Sequence, residues 1–213
     1  HIEVESERRL SGGPLELTAP DKTERVVCPF CDSLLDVNQG NLKYLKTLDP
    51  SPSPHEFILP IGAEGTFEDV KQKIIGAMVR SVTFDGVKYF WHEYLLYNPR
   101  IGFRWLVHSD NHWNYVQPVN PAEVISNETA GKPTVTYNGK TFRIFQDAIA
   151  TVEYVKGEFY WRVNQGDNVR AVDYVNAPLM LSKEITPGEI NWSLGTYKTN
   201  KEIEETFNVS NLP

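Results

Sequence analysis

The stretch FDGVKYFWHEYLLYN, residues 84–98, combines a tight turn with a run that is typical of a buried β-strand. Asp85-Gly86 is a two-residue hairpin signal, because both residues tolerate the positive φ that a type I′ turn requires. Aromatic residues follow at positions 89, 90, 91, 94 and 97. Successive side chains of a strand point to opposite faces, so both faces of this strand carry rings. That pattern is typical of a strand buried in a two-layer structure.

The same β pattern extends along most of the chain. We predict strands at residues 57–61, 74–84, 88–97, 102–107, 112–117, 135–137, 141–146, 148–154, 158–163 and 169–174, and we place turns at Asn138-Gly139 and Lys156-Gly157. Short strands separated by such turns indicate an antiparallel β-sandwich or a partly open β-barrel. Two helices are also expected, at residues 41–48 from the leucine spacing and at 201–207 after a cap at Thr199-Asn200.

Two short aromatic motifs suggest a rough internal repeat. YFW at residues 89–91 and FYW at 159–161 each follow a strand and a glycine-containing turn. The spacing from glycine to tryptophan differs by one residue between them, so the sequence supports a duplication only weakly.

The clearest boundary is DPSPSP at residues 49–54. Three prolines at alternate positions prevent a helix and remove the donors that a sheet needs. We therefore divide the chain into a small β segment at 1–48, a stiff linker at 49–55 and a β-rich domain at 56–213.

Composition limits the classes of partner. The chain has 213 residues, with 21 Lys and Arg against 28 Asp and Glu, so its formal net charge is −7. Nucleic-acid affinity depends on cations that neutralise phosphates, and a nucleic-acid partner is therefore disfavoured. No run of about 18 apolar residues occurs, so we expect no membrane span within this chain. Two cysteines that make no disulfide framework suit a reducing compartment, which predicts a cytoplasmic location.

Those two cysteines, Cys28 and Cys31, form a CPFC turn that resembles one knuckle of a zinc ribbon. A closed structural zinc site needs four ligands, and the other two are not evident. The sequence offers five histidines, or a second chain, as completing ligands: His1, His55, His92, His108 and His112. A ribbon that folds without zinc is the interpretation we favour. A redox dithiol is the least favoured, because the turn leads into a strand and not into a helix N-terminus that would lower a thiol pKa.

Other candidate groups lie in the central strands. Glu93 with His92, His108 and His112 could build a metal or acid–base site, although adjacent His92 and Glu93 should point to opposite faces. The clustered rings could form a stacking platform, but packing in the core is the simpler interpretation. We expect Arg104 to pair with an acidic residue such as Glu93. The acidic clusters at Glu3, Glu5 and Glu7 and at Glu202, Glu204 and Glu205 would suit a polyamine, but ordinarily form solvated faces.

Several sequence motifs resemble those of a bacterial family, domain of unknown function 4178 (DUF4178). The matching motifs are WHEYLLYNP (91–99), GFRWL (102–106), GEFYW (157–161), DY (173–174), MLS (180–182) and the residues from Glu189 to Tyr197. They extend from about residue 56 over most of the chain. The N-terminal words GGPLEL (12–17), APD (19–21) and CPFC (28–31) are similar to the zinc ribbon that often precedes this domain. Arg8 and Ser11 stand where that ribbon has its first two cysteines, so a zinc site is in doubt and no cofactor is expected.

The resemblance also implies a context. Relatives commonly continue beyond the point corresponding to Pro213 into apolar segments, so we expect this chain to be part of a membrane-associated protein. Their genes tend to lie near polyamine-related genes, and no catalytic activity is established for the family. The sequence therefore predicts a non-catalytic binding or assembly module of a membrane-associated or polyamine-related system. The alternative is an enzyme, or enzyme subunit, that acts on a polyamine or small amine through a barrel pocket around Glu93.

Overall fold

The computed structural model describes residues 4–5, of which only the backbone is considered, together with 15–127 and 131–213. Predicted features at Arg8, Ser11 and residues 12–14 lie outside the described residues, as do the side chains of His1, Glu3, Glu5 and Glu7. The strands are β1 (Val4–Glu5), β2 (Arg25–Val27), β3 (Ser33–Asn38), β4 (Asn41–Thr47), β5 (Glu64–Phe67), β6 (Val70–Phe84), β7 (Val87–Asn98), β8 (Gly102–Ser109), β9 (His112–Val119), β10 (Ile125–Asn127), β11 (Thr134–Tyr137), β12 (Lys140–Phe159), β13 (Asn168–Asn176), β14 (Leu179–Thr186) and β15 (Glu189–Lys198), followed by one helix, α1 (Asn200–Phe207).

Eight of these strands close into an antiparallel barrel. β6 to β9 form one four-stranded meander and β12 to β15 form a second. The meanders join along two seams, where β9 pairs with β15 and β6 pairs with β12. The prediction of a mainly β fold is thus confirmed, and the barrel is closed. Closure removes the exposed strand edges that would otherwise invite aggregation.

The hairpin signals in the sequence are confirmed. Asp85 and Gly86 have φ values of 49° and 77°, and the strands on either side pair from Phe84–Val87 onward. The second signal, Asn138-Gly139, makes the same kind of turn between β11 and β12. Both turns use residues for which the left-handed region costs little.

The two aromatic motifs, at residues 89–91 and 159–161, do not occupy equivalent positions in the two meanders. Residues 89–91 lie in β7, the second strand of the first meander. Residues 159–161 lie at and beyond the end of β12, the first strand of the second meander. The fold does repeat a four-stranded meander. The two aromatic stretches do not mark equivalent positions in that repeat.

β12 is the longest strand and connects the parts of the fold. Its first half pairs with β13 and its second half with β6. The predicted turn at Lys156-Gly157 is therefore wrong, because the strand continues to Phe159. Gly157 instead has a φ of +82° within the strand, and a Cβ at this position would collide with the backbone of Ile75. Close approach of two backbones explains this glycine.

The small N-terminal sheet continues the barrel wall. β2 pairs with the last two residues of β12, and β3 and β4 extend the sheet outward. The helix predicted at 41–48 is wrong. Gln39-Gly40 makes a turn with positive φ, so Asn41–Thr47 returns as β4 along β3. Pairing with a neighbouring strand overrides the local leucine spacing.

Residues 57–61 form no strand, contrary to the sequence-based prediction. Pro60 lies within this segment, and the Tyr94 hydroxyl accepts hydrogen bonds from the N–H groups of Ile58 at 3.0 Å and Leu59 at 3.4 Å. These donors are satisfied by a side chain and not by a strand. The segment crosses the outer face of the barrel, where Leu59 is buried.

Helix α1 is confirmed where the sequence predicts it. Thr199 and Glu202 form a capping box in which each side chain accepts from the other's backbone N–H. Ile203 and Phe207 are buried, and they pack with Leu59, Tyr94 and Leu106 on the outer face of the first meander. Strands β14 and β15 were not among the predicted strands. No helix among the described residues is long and apolar enough to cross a bilayer.

Candidate functional site

A group of charged side chains meets inside the barrel. Arg80 lies on β6 and Glu184 on β14, which are separated in the barrel wall by β12 and β13. Their side chains nevertheless contact each other at 2.7 Å, and two strands that are not neighbours can touch in this way only across the interior. Glu93 on β7 shares that face, because it also contacts Arg80. We call Arg80, Glu93, Asp173 and Glu184 the lumen cluster.

The Arg80 guanidinium is the centre of the cluster. Its Nη1 donates to Oε2 of Glu93 at 3.0 Å and to Oε1 of Glu184 at 2.7 Å. The indole Nε1 of Trp91 donates to the same Glu93 oxygen at 2.8 Å, and the guanidinium lies 5.8 Å from the Trp91 ring centroid. The Arg80 Nε is buried without a hydrogen-bond partner among the described residues. The two glutamate carboxylates are therefore the main partners that stabilise the buried guanidinium.

The electrostatics of the cluster follow from burial and charge. Burial opposes the charged form of Arg80, but Glu93 and Glu184 outweigh it and raise the pKa of the guanidinium. Burial raises the pKa of the Asp173 carboxyl, against a hydrogen bond from the Ser182 hydroxyl at 2.6 Å that lowers it. The nearby Glu184 carboxylate raises this pKa further. The raised pKa makes the Asp173 carboxyl easier to protonate than an ordinary aspartate.

Aromatic side chains surround one side of the lumen. Phe103 stacks on Tyr160 with 4.3 Å between ring centroids, and Trp105 meets Trp161 edge-on at 5.6 Å. Burial raises the pKa of the Tyr160 hydroxyl, against a hydrogen bond from Trp105 that lowers it, and the carboxylates of Glu184 and Glu93 raise it further. The rings and the lumen cluster are thus close enough to act on one ligand.

The members of the lumen cluster differ in their exposure to water. The Glu184 side chain is 40% exposed, whereas the Arg80 and Glu93 side chains are 9% and 11% exposed. Asp173 is half-buried. Two surface depressions of about 350 and 490 Å³ contain no member of the cluster, although Tyr160 lines the first. A ligand could therefore reach the cluster by way of Glu184.

The structure separates the residues that the sequence groups as a possible metal or acid–base site. His92 lies on the outer face of β7, where its Nε2 is 3.4 Å from the Ser53 hydroxyl. Its neighbour Glu93 points into the lumen. The adjacent positions on opposite faces are as predicted. His108 pairs with His92 across the two strands, and His112 contacts Tyr197 at the surface.

The expected pairing of Arg104 with Glu93 is wrong. Arg104 donates to the backbone oxygens of Ile101 at 3.2 Å and Phe103 at 2.8 Å. In the register Arg104 lies opposite Leu96, and Leu96 alternates with the residues that face the lumen. The partner of Glu93 is Arg80, which lies in the apolar run IIGAMVRSV at 74–82. A charge within an apolar strand is the signal that could have identified this residue.

The CPFC stretch forms a hydrogen-bonded turn between β2 and β3. The N–H of Cys28 donates to the Ser33 carbonyl at 2.9 Å and the N–H of Asp32 donates to the Cys28 carbonyl at 3.0 Å. Cys28 is buried, and the Cys31 thiol donates to the Ser33 hydroxyl at 3.1 Å. Across residues 15–127 and 131–213, no group of three or more His, Cys, Asp or Glu side chains could hold a metal ion. Cys28 and Cys31 remain a predicted half-site.

We expect protein purified from zinc-containing medium and dialysed to hold clearly less than one equivalent of zinc per chain. The reason is that two thiolates leave half of a tetrahedral site unfilled. Metal analysis of the wild type and of the C28S/C31S double variant measures this directly. One full equivalent in the wild type, lost in the double variant, would mean that a histidine or a second chain completes the site.

The acidic residues near the C-terminus are engaged in local structure. Glu202 caps α1, and Glu204 accepts a hydrogen bond from the N–H of Leu212 at 2.9 Å. Glu205 lies 3.9 Å from Lys201 one turn earlier. These contacts account for the cluster without a ligand.

Fold and lumen together define an eight-stranded barrel protein with a charged, partly aromatic interior. The chain belongs to the family described as Domain of unknown function (DUF4178), whose family model matches residues 60–200. That range begins before β5 and ends at α1, and so includes the whole barrel and the lumen cluster. No significant match to a curated protein or to a solved structure was found.

Proposed function

We propose that this protein is a non-catalytic binding module whose barrel lumen receives a slender ligand carrying an ammonium group. The observation that carries the proposal is the contact of Arg80 with Glu93 and Glu184 inside the barrel. Closed barrels of eight strands have interiors that are either filled by side chains or hold one small ligand. Charged groups buried in such a place are costly unless they are paired, which favours a role in recognition.

A cationic ligand suits the charges of the cluster. Even with Asp173 protonated, the carboxylates of Glu93 and Glu184 outnumber the one guanidinium of Arg80. An added ammonium group could hydrogen-bond to the accessible Glu184 carboxylate, and the tryptophan and tyrosine faces nearby attract cations. The interior of an eight-stranded barrel is just wide enough for side chains or one small ligand, which favours a linear chain over a ring system.

The family context agrees with an amine ligand. Resemblance to DUF4178 implies a polyamine-related or membrane-associated system, and a polyamine is a linear chain of ammonium groups. We include in the proposal that the module serves such a system, as a receptor or assembly component. Fractionation of the full-length protein from cells tests the membrane part: recovery only with soluble protein would contradict it.

Spermidine and putrescine are expected to bind and to change the tryptophan fluorescence, because Trp91 and Trp105 lie beside the cluster. Replacing Glu184 with glutamine should weaken binding by about tenfold or more at low salt, since a charge-assisted hydrogen bond becomes a neutral one. Added salt should weaken the wild-type complex. Fluorescence titration and calorimetry measure both effects.

Two controls make this experiment specific. Butanediol has the carbon chain of putrescine without its charges and should not bind. The variant Glu123→Gln removes a charge in the surface turn Pro121–Glu123, far from β14 in sequence, and should bind like the wild type. Absence of saturable amine binding, or equal affinities in E184Q and wild type, would overturn the proposal.

The alternative of an amine-processing enzyme loses the residues on which it was based. It required Glu93 and the nearby histidines in one pocket, but His92 and His108 lie on the outer face and Glu93 lies in the lumen. Within the lumen, Glu93 is bound to Arg80 and Trp91. A binding role is therefore the function that the geometry supports best.

A further inference from the structure

Residues 51–59, which we call the strap, lie across the outer face of β7. The Phe57 ring packs on the His92 ring at 4.9 Å and on the Tyr94 ring at 5.9 Å. The Ser53 hydroxyl lies 3.4 Å from His92 Nε2, and the Tyr94 hydroxyl holds the backbone of Ile58. Leu59, at the end of the strap, packs into the apolar cluster on the outer face of the first meander. The strap is thus fastened at two neighbouring points, His92 and Tyr94.

Three histidines lie in or near this strap. His92 and His108 are directly opposite each other on β7 and β8, and residues so placed have their Cβ atoms about 5 Å apart. His55, which belongs to the strap, is near enough to influence both electrostatically. His92 is 5% exposed, and the Nε2 of His108 is buried without a hydrogen-bond partner among the described residues. Protonation would place like charges side by side in a poorly hydrated position.

We propose that the strap is an acid-sensitive latch, docked when His92 and His108 are neutral and released from the barrel when they are protonated. The observation behind it is that Ser53 and Phe57 of the strap dock on buried His92, which lies opposite His108 in the barrel wall. The segment that docks on this face of the barrel is part of the same chain. The proposal concerns the outer face of the barrel and does not depend on what the lumen binds.

The other charged and titratable groups around the latch do not remove this repulsion. On β8 and its turn, Asp110 attracts a proton to His108 while His112 repels it. On β12, the Tyr154 ring stacks on Phe57 at 6.4 Å, and its hydroxyl bonds to Asp32. Glu56 is exposed in the strap itself. For His92 the neighbouring charges that act on the ring are those of His108 and His55.

The sign of the effect follows from these surroundings. Burial lowers the pKa of His92 to about 4, with further lowering by His108 and His55. Burial also lowers the pKa of His108. An undocked histidine titrates near about 6.5, so the released strap binds more protons than the docked one. Docking is therefore at full strength above about pH 6.5 and weakens as the pH falls toward about 4.

Amide NMR spectra between about pH 7 and pH 4 test the latch. The Ile58 and Leu59 signals should move to positions typical of unstructured chain, with a change of up to about tenfold in open population per pH unit for each proton bound. The Leu181 amide, in β14 on the far side of the barrel, should keep its position. The His92 and His108 ring signals should titrate over the same range.

Matched variants separate the latch from general acid unfolding. Glutamine at position 92 keeps a polar contact for Ser53 but cannot be charged, so H92Q should hold the strap at low pH. H112Q removes an exposed histidine at the start of β9 and leaves His92 and His55 in place, so it should still release the strap at low pH. If H92Q does not fold, H55Q, in the exposed part of the strap, removes a charge that acts on His92 and His108 and should shift the release to lower pH. A strap signal that never moves, that moves together with Leu181, or that moves equally in H92Q or a folded H55Q would overturn the proposal.

Discussion

Replacing Arg80 with methionine is expected to lower the free energy of unfolding by about 3–5 kcal/mol, the usual cost of breaking a buried ion pair. The Arg80 and Glu93 side chains are only 9% and 11% exposed, and methionine would leave the Glu93 carboxylate in the lumen without its cation. Glu184 is affected less, because its side chain is 40% exposed and water can solvate it. Urea denaturation near neutral pH measures the loss.

A double-mutant cycle shows whether the loss comes from the uncompensated charge. Glutamine at position 93 keeps an oxygen for the Trp91 indole and removes the charge, so R80M/E93Q should be more stable than R80M alone by more than about 1 kcal/mol. K71M, at an exposed lysine of β6 whose partner Glu64 is also exposed, is the control for losing a cation and should change stability by less than about 1 kcal/mol. If R80M were no more damaging than K71M, the lumen cluster would not be a buried ionic centre.

Replacing Glu158 with glutamine is expected to cost about 3 kcal/mol and to loosen the N-terminal sheet. Glu158 is buried, and its carboxylate accepts from the N–H of Thr18 at 2.8 Å and from the Thr23 hydroxyl at 3.0 Å. It also accepts from the N–H of Ala19 at 3.2 Å. The amide group of glutamine would turn a donor toward these donors and leave buried groups unsatisfied.

The thiol of Cys28 reports this loosening. Cys28 follows β2, which pairs with β12 only at Glu158 and Phe159, and it is buried in the native chain. Its reaction with a thiol reagent should therefore become faster in E158Q, together with the lower stability in urea. E24Q changes an exposed glutamate one residue before β2 and should leave both unchanged. Equal labelling rates in E158Q and wild type would show that this carboxylate does not anchor the sheet.

Local features were predictable wherever short-range chemistry decides the outcome. The hairpins at Asp85-Gly86 and Asn138-Gly139 and the cap at Thr199 depend on residues within four positions of each other, and each forms as predicted. The predictions of a helix at residues 41–48 and of a turn at Lys156-Gly157 were wrong for the opposite reason. There a distant strand, β3 or β6, decides the backbone by offering a row of hydrogen-bond partners.

The candidate site was only partly predictable. Glu93 and the aromatic words around it were identified, and alternation correctly placed His92 on the other face. The partner of Glu93 was not predictable from spacing, because Arg80 lies 13 residues away and Glu184 lies 104 residues from Arg80. Asp173 likewise enters the site only once β13 is placed in the barrel wall.

The sequence by itself determined the β class, the hairpins and terminal helix, and the membership of the DUF4178 family. It also predicts that Cys28 and Cys31 lack two further cysteine ligands for a zinc ribbon, since the chain has only these two cysteines. Tertiary structure alone decided that the sheet closes, that Arg80 joins Glu93 and Glu184, and that the strap covers the histidines. These features arise from contacts between residues far apart in the chain. Such contacts depend on strand order and register around the whole barrel, which no local pattern of residues specifies.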